Sequence, residues 1–485
     1  MLKSSLIYLA GRYGASAITL LAIAAYTRLV SPSEYGVYSL AFTAATLLYS
    51  FALFWLRDAL IRFTPTYAER EDVLMSQVAA GYLGVAAVTL AALAAASFAP
   101  LPAEAARLVR LVVPLFLSLA LCEVSLAWLQ ARFRPARYAT LSLTRTTVAG
   151  VVGSALAWSG YGAEGIVAGT VLGYVLCALP VLAETRHLVA WRKVSWERLR
   201  EIGGYGLSFS LAGALIAFIA FADRYIIAWM LGAEAAGFYA APYDLASRSL
   251  YVLMLAVNLA GAPIIFRAYE RDGLAAAEAA LRRQFVLLLG ASLPVATGLA
   301  IMSPFATGVL LGERFHTWGI ALMPWIAAAT VLQGLETFFF SFAFSLTRKP
   351  LGQTVALAAT AVVNVGLNLA LIPRFGLAGA AMATVLTYVF GIAGSFAAGR
   401  RLIRLPLPLG EAARIALAAL VMAATLWPWR EATGWPAFAW GLLVALPAYG
   451  LGLLAFNPGN LRGEVASALA RRRARRLDEG AAESA

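Results

Sequence analysis

The chain has 485 residues, 61% of them hydrophobic and only 13% charged, with a mean hydropathy of +0.78. Soluble domains carry about 25% charged residues, so this composition excludes a large globular protein and predicts a polytopic membrane protein. The formal net charge of +13 does not point to nucleic acid, because the basic residues sort into alternate loops between apolar runs.

At about 20 residues per span, fourteen apolar segments follow one another. They cover roughly 6–29, 35–60, 73–98, 109–130, 138–159, 163–183, 208–231, 236–266, 285–311, 319–345, 354–372, 377–399, 412–429 and 435–456. The first contains Arg12 and is longer than the apolar core of a secretory signal, so it reads as a retained span. In the sixth, Gly165, Gly169 and Gly173 recur at four-residue spacing, a device that lets helix backbones approach closely. The eighth is long enough to tilt, to kink at Pro242 or Pro263, or to project from the bilayer. Residues 267–283 (RAYERDGLAAAEAALRR) read as a short amphipathic helix on the membrane surface. Residues 477–485, small and acidic, are expected to be disordered.

One set of loops carries Arg132, Arg134 and Arg137, the group from Arg186 to Arg200, Arg267 to Arg283, Arg348, Lys349, and Arg400 to Arg404; the opposite set is short and poor in basic residues. The positive-inside rule therefore puts both termini and the loop 184–207 in the cytoplasm. The basic tail around Arg471 to Arg476 then meets anionic lipid.

The chain also repeats itself. Residues 26–42 (YTRLVSPSEYGVYSLAF) match 227–243 (IAWMLGAEAAGFYAAPY), pairing Gly36 with Gly237 and Tyr38 with Tyr239 at an offset of 201. Residues 162–174 (GAEGIVAGTVLGY) match 376–388 (GLAGAAMATVLTY) at an offset of 214. The repeated unit is about 200 residues, the scale of a transporter half. Six spans per half is an even number, so both halves share one orientation. The expected fold is all-α, with about fourteen transmembrane helices in two six-helix lobes related by a parallel pseudo-two-fold. The divisions are an N-terminal lobe at 1–183, a cytoplasmic linker at 184–207, a C-terminal lobe at 208–404, two extra helices at 405–456 and a tail at 457–485.

Ionisable groups inside spans are costly and mark candidate sites. Arg12 shares a helix face with Ser16 and Thr19, and the 201 offset carries Ile23 of that face onto Arg224. Two guanidiniums staggered across a cavity would suit a phosphate, which arginine binds in a fork. Arg145 lies among Ser142, Thr144, Thr146 and Thr147. Asp58 with Arg62, and Asp244 with Arg248, are i,i+4 pairs that neutralise one another or serve coupling. Asp223 adjoins Arg224, and Glu123 and Glu336 read as lone carboxylates. Cys122, Cys177, His187 and His316 form no disulfide framework or metal cluster, and no cofactor is expected.

LVSPSEYGVYSLAF after the first span, DRYIIAWMLGAEAAGFYAAPYDLA in the second half and NLALIPRFGLAGAAMATVLTY at 368–388 resemble the polysaccharide transporter (Wzx-like) flippases. These belong to the multidrug/oligosaccharidyl-lipid/polysaccharide exporter superfamily, and the resemblance covers residues 1–430. It implies a monomeric inner-membrane protein of two lobes in a V. Such a protein flips an undecaprenyl-pyrophosphate-linked oligosaccharide outward by alternating access, for O-antigen, capsule or exopolysaccharide assembly. Its implied partners are the lipid-linked substrate, membrane lipid and the polysaccharide polymerase and export machinery. Family members line the cavity with basic residues, and Arg12, Arg145, Arg224 and Arg248 are of that type. Asp58, Arg62, Asp223, Asp244 and Glu336 are the candidates for coupling or for other polar work in the cavity. Some relatives use two extra helices as a lipid-tail groove. The alternatives are a cation-coupled multidrug exporter or a lipid II flippase of the same superfamily. A membrane polymerase or ligase is disfavoured, since the one long loop is cytoplasmic and no nucleophile–base constellation or phosphate loop appears.

Overall fold

The computed structural model describes residues 2–97, 102–347, 349–463 and 467. Among them the chain forms helices and no strands. In order these are α1 (Leu2–Leu29), α2 (Pro32–Ala52), α3 (Phe54–Phe63), α4 (Glu71–Ser97), α5 (Ala103–Ala131), α6 (Pro135–Leu156), α7 (Gly162–Thr185), α8 (Trp196–Leu231) and α9 (Ala233–Asp272). They continue as α10 (Leu274–Ile301), α11 (Ser303–Leu310), α12 (His316–Leu335), α13 (Phe342–Leu346), α14 (Pro350–Gly399), α15 (Leu409–Leu426) and α16 (Trp435–Phe456). The basic tail around Arg471 to Arg476 and residues 477–485 lie outside the described residues.

Helical stretches run through the apolar segments, with breaks at Leu53 inside 35–60, at Met302 inside 285–311 and at the π-helical turn Glu336–Phe340 inside 319–345. Ten helical stretches are long and apolar enough to cross a membrane, or eleven if the bent pair α2–α3 counts as one. Two of the ten, Pro135–Leu188 and Leu351–Gly399, fold back on themselves; in the second, Asn364 reaches Thr387 across the hairpin at 3.3 Å. Exposed Trp158, Tyr161, Trp229, Trp427 and Trp435 ring one end of the bundle, and Trp191 and Trp196 stand at the other. Such aromatic belts sit at headgroup level. The protein is a multi-pass membrane protein.

The two hairpin corners are the second sequence repeat. Gly162 (φ 54°, ψ −133°) and Gly376 (φ 58°, ψ −135°) adopt nearly the same backbone, which L-residues with a Cβ rarely reach. Three residues on, Gly165 and Gly379 lie so close to the incoming helix that a Cβ would strike Leu156 and Leu371 respectively. Gly169 and Gly173 continue this contact along Gly153, Ala149 and Arg145. The ladder is thus the α6–α7 interface. Lipid supplies no hydrophobic drive between helices, so close backbone packing of this kind holds them.

Each half has its own core: Leu53, Leu115, Phe116, Trp128 and Tyr174 in the first, and Phe285, Leu288, Phe339 and Phe344 in the second. A third cluster joins both, with Ile23, Tyr26 and Tyr35 from the first half against Tyr239, Phe315, Leu322 and Leu377 from the second. This end of the bundle, bearing Ser31, Gly162, Gly232 and Gly376, is the seam end; residues 184–207 mark the linker end.

Three details differ from the sequence expectation. The second span bends by 48° between α2 and α3, and the indole Nε1 of Trp55 donates to the freed Ala52 carbonyl at 2.9 Å. Residues 267–283 do not form a separate surface helix. α9 runs on to Asp272, breaks at Gly273 (φ 82°), and α10 begins at once, because Ala277 and Leu281 are buried as part of that helix. At 40 residues, α9 spans about 60 Å, twice the hydrocarbon thickness. Finally, the expected linker is helical from Trp196. Ile202 of α8 packs into the cluster that holds Leu53 and Trp128, so the segment expected to link the halves runs on into a continuous helix. The preceding turns are held to α4, where Gln77 bonds Lys193 O (2.9 Å) and Ser195 N (3.2 Å) and Ser76 Oγ accepts from Ala190 N.

The two extra helices pack on the second half through Met302, Phe305, Met422 and Leu426, with Tyr449 donating to Gly290 O at 2.8 Å.

Candidate functional site

The first sequence repeat builds the seam. α2 starts cleanly because Ser31 accepts from Glu34 N (3.2 Å) and Pro32 occupies the first turn. One turn on, Gly36 meets Gly237. A Cβ at Gly36 would overlap the Ala233 carbonyl, and one at Gly237 would overlap the Pro32 carbonyl, a reciprocal contact across the pseudo-two-fold. The repeated tyrosines are placed alike too: Tyr38 lies beside Thr170, and Tyr239 lies 3.1 Å from Thr384, the residue 214 positions after Thr170. At the rim, Thr27 Oγ1 accepts from Gly312 N (3.0 Å) and Arg28 donates to Val309 O (2.5 Å). Arg107 staples three helices of the first half here, forking onto Glu34 (2.9 and 2.7 Å) and Glu164 (2.6 Å twice).

Beneath the glycines lies a buried polar group. Arg224, 1% exposed, donates to Asp244 (2.6 Å) and, across the halves, to Ser39 Oγ (2.8 Å). Tyr35 of the first half donates to the other Asp244 oxygen at 3.2 Å, and Tyr225 to Leu40 O at 2.8 Å. The rings of Phe221 and Tyr243 lie 5.2 and 5.4 Å from the guanidinium. Asp223 accepts from Tyr239 (2.7 Å) and from Arg224 N (2.8 Å). In this conformation Arg224 is therefore closed off from any cavity, contrary to the expectation of a free cationic site. A residue's type and depth are legible in sequence; its burial against the other half is not.

The other predicted residues separate. Arg12 is exposed on α1, within electrostatic range of Tyr251 on α9. Arg248 is not paired with Asp244, which Arg224 holds. Its Nε is buried without a partner, and its charge lies within range of Tyr35 and Tyr38. Asp58 is 3.8 Å from Arg57, a residue passed over in the sequence, which rests on the Phe54 ring at 5.3 Å. Arg62 also has a contact of its own. Glu123 is not alone: Arg145 bridges to it at 3.0 Å while lying over Tyr174 at 5.6 Å. Cys122 and Cys177 are free thiols, buried close to each other beside this pair.

Glu336 is the exception. It is 6% exposed, its Oε1 has no partner, and no salt bridge reaches it among the described residues. It opens a π-helical turn, Glu336–Phe340, a local widening frequent at functional sites. The carboxylate faces a pocket of about 20 Å³ shared with Gln333, Thr337, Gln353, Tyr388 and Ser395, enough for about one water. The Tyr388 hydroxyl also lacks a partner. No group of three or more His, Cys, Asp or Glu able to hold a metal occurs among the described residues.

A last feature is an apolar groove of about 640 Å³ between α9 and α10 on one side and the extra helices α15 and α16 on the other, lined by Ile264, Leu287, Ile415 and Leu453 and also by Arg283 and Gln284.

The chain is thus an all-helical membrane bundle whose internally repeated segments meet at the seam end. The chain belongs to the polysaccharide biosynthesis protein family, whose model matches residues 25–318. No curated protein matches it. Among solved structures it is similar to the lipid II flippase MurJ in an inward closed conformation, with TM-score 0.70 and 14% identity over 94% of this chain and 99% of that one. It is also similar to a multidrug resistance MATE family transporter of the MOP superfamily, inward-facing (TM-score 0.61, 17% identity, 82% of this chain and 94% of that one). The outward-facing form of such a transporter matches with TM-score 0.60 and 16% identity over 83% and 95% of the two chains.

Proposed function

We propose that the protein is a flippase that moves an undecaprenyl-pyrophosphate-linked oligosaccharide from the cytoplasmic to the outer leaflet of the inner membrane, by alternating access between its halves. One observation carries the reading. The halves are hydrogen-bonded at the seam end, through Arg28, Thr27, Tyr35, Ser39 and Leu40, and arginines lie beneath that closure on both halves. The sorting of basic loops makes the seam end the outer one and puts both termini in the cytoplasm. This conformation is then closed to the outside.

The physics is coherent. A pyrophosphate and its sugars cannot enter hydrocarbon, because unpaired charges and polar groups cost many kcal/mol there. A wet cationic space lowers that barrier, and arginine forks match phosphate oxygens. Arg12 and Arg248 are the headgroup ligands in this reading, joined by Arg145 once it exchanges Glu123 for substrate. The groove among α9, α10, α15 and α16 offers the prenyl tail an apolar track. Outward movement of negative charge is favoured by an inside-negative potential, ~2.3 kcal/mol per charge per 100 mV. Glu336 takes the coupling role, since it alone of the candidate carboxylates stands buried without a partner; Asp58, Asp223 and Asp244 are engaged. The protein acts as a monomer beside the polymerase and export machinery.

A second reading, a cation-coupled multidrug exporter, draws on the wall that Glu336 forms with Tyr388 and with Tyr251, whose ring meets Phe338 at 5.1 Å. Export measurements separate the two. Arg12→Ala or Arg248→Ala should lower polymer export about tenfold or more, since a charge-assisted contact contributes ~1.5–3 kcal/mol, with membrane level unchanged. Normal export in both variants, or efflux of cationic dyes that survives in both, would favour the multidrug reading. Accumulation of lipid II in place of polymer precursor would instead favour a lipid II flippase.

A further inference from the structure

The buried group beneath the glycine crossing is one-sided. The 201 offset carries Ile23 onto Arg224, Tyr35 onto Ala236, Ser39 onto Ala240 and Thr43 onto Asp244. Glycine meets glycine symmetrically, but the ion pair belongs wholly to the second half and the hydroxyls that touch it belong wholly to the first. At the symmetry-related place Ile23 carries no charge, and the Thr43 hydroxyl is buried without a partner.

We propose that Arg224 and Asp244 form a preassembled latch on the seam, a pair that stays intact within the second half and grips the first half only through neutral hydroxyls. Arginine does not give up its proton in proteins, and Arg224 is enclosed by Phe221 and Tyr243, so it needs Asp244 in every state of the transporter. What changes on parting is Ser39 and Tyr35, whose hydrogen bonds water can replace almost evenly. An ion pair drawn across the halves would behave differently, since separating it strands a desolvated charge on each side. The latch therefore holds the seam shut without making it slow to open. Arg224 is on this account a gate residue rather than a headgroup ligand. The proposal leans on the alternating-access reading only in requiring that the seam part.

The test uses the full chain in nanodiscs, with Cys122→Ala and Cys177→Ala and a single reporter, Ala236→Cys. Ala236 is fully buried in the seam, so a membrane-impermeant maleimide labels it only when the halves separate. Ser39→Ala with Tyr35→Phe should raise the labelling rate by about five- to a hundredfold, the yield of two hydrogen bonds of modest net strength. Asp244→Asn, which leaves Arg224 unpaired, should raise it further. Thr43→Val, in the same layer but outside the latch, should leave it unchanged. An unchanged rate in the double variant overturns the proposal, and so does an equal rise in Thr43→Val, which would mean general loosening. Altered labelling with no lipid-linked export anywhere would sink the flippase reading alone; unchanged labelling with normal export would sink the latch alone.

Discussion

Glu123 and Glu336 stand on corresponding helices of the two halves, each close to the same repeated tyrosine, Tyr174 in one and Tyr388 in the other. Their fates differ. Glu123 is bridged by Arg145 at 3.0 Å, and that arginine is seated on Tyr174. Pro135 and Pro350 open the helices that carry the next layer. In that register, an offset of 215 (350 − 135), Arg145 corresponds to Thr360, which bonds only its own helix at Ala356 O (2.9 Å). One half therefore closes its membrane carboxylate with a guanidinium, and the other leaves it facing a water-sized pocket. Duplication preserved the scaffold, down to the φ and ψ of Gly162 and Gly376, while a single missing cation separates a carboxylate held in an ion pair from one that is not.

The comparison breaks most visibly if the first half is made to look like the second. Arg145→Ala leaves Glu123 unpaired. Losing one partner of a buried pair costs about 3–5 kcal/mol, and because both side chains are near one quarter exposed, the expected loss is nearer ~2 kcal/mol. Thermal unfolding of the purified protein should show it as a fall of several degrees in Tm. Removing both groups, Glu123→Ala with Arg145→Ala, should recover most of that loss. A single variant as stable as the parent would mean the pair holds nothing, and the contrast with Glu336 would lose its basis.

A neutral isostere sharpens the contrast by sign. Glu123→Gln removes the charge that Arg145 needs, so stability should fall by ~1 kcal/mol, within the range for charge-assisted hydrogen bonds. Glu336→Gln removes a carboxylate that has no partner, so stability should hold or rise by up to ~1 kcal/mol, while transport driven by a cation gradient is lost. Equal destabilisation in both variants would show that Glu336 has a structural partner after all.

Much of this architecture was legible before any coordinates. The repeat pairs Gly36 with Gly237 at the 201 offset, and the structure brings the two into reciprocal contact because only glycine fits so close a backbone crossing. The pairing of carboxylates was not legible. Asp244 lies four residues from Arg248 on one helix yet bonds Arg224 on another, because the i,i+4 spacing states only what is near along a helix, not which neighbour the bundle brings closer. Glu123 reads as solitary in sequence for the same reason: its arginine is 22 residues away, on the adjacent helix. The offset gives Arg224 a face equivalent to that of Arg12, but it cannot say that packing presses that face against Ser39 and Tyr35. Arg107 and Arg57 left no signal beyond their charge.

The smallest expected effect tests the pocket itself. Tyr388 is buried at 3% exposure, and its hydroxyl, like Glu336 Oε1, has no partner. If that hydroxyl is idle, Tyr388→Phe removes an unsatisfied group and changes stability by less than ~0.5 kcal/mol. If it serves the same bound species as Glu336, stability is equally unmoved, but the cation concentration that half-saturates transport should rise about threefold, the equivalent of ~0.6 kcal/mol in binding. Tyr174→Phe is the control, since its ring alone supports Arg145 and the cation–π contact survives. A threefold shift in the second half with none in the first would tie function to the side where the arginine is missing. A shift of equal size in both would mean that the tyrosines act through the common scaffold, and that the difference between the halves lies elsewhere.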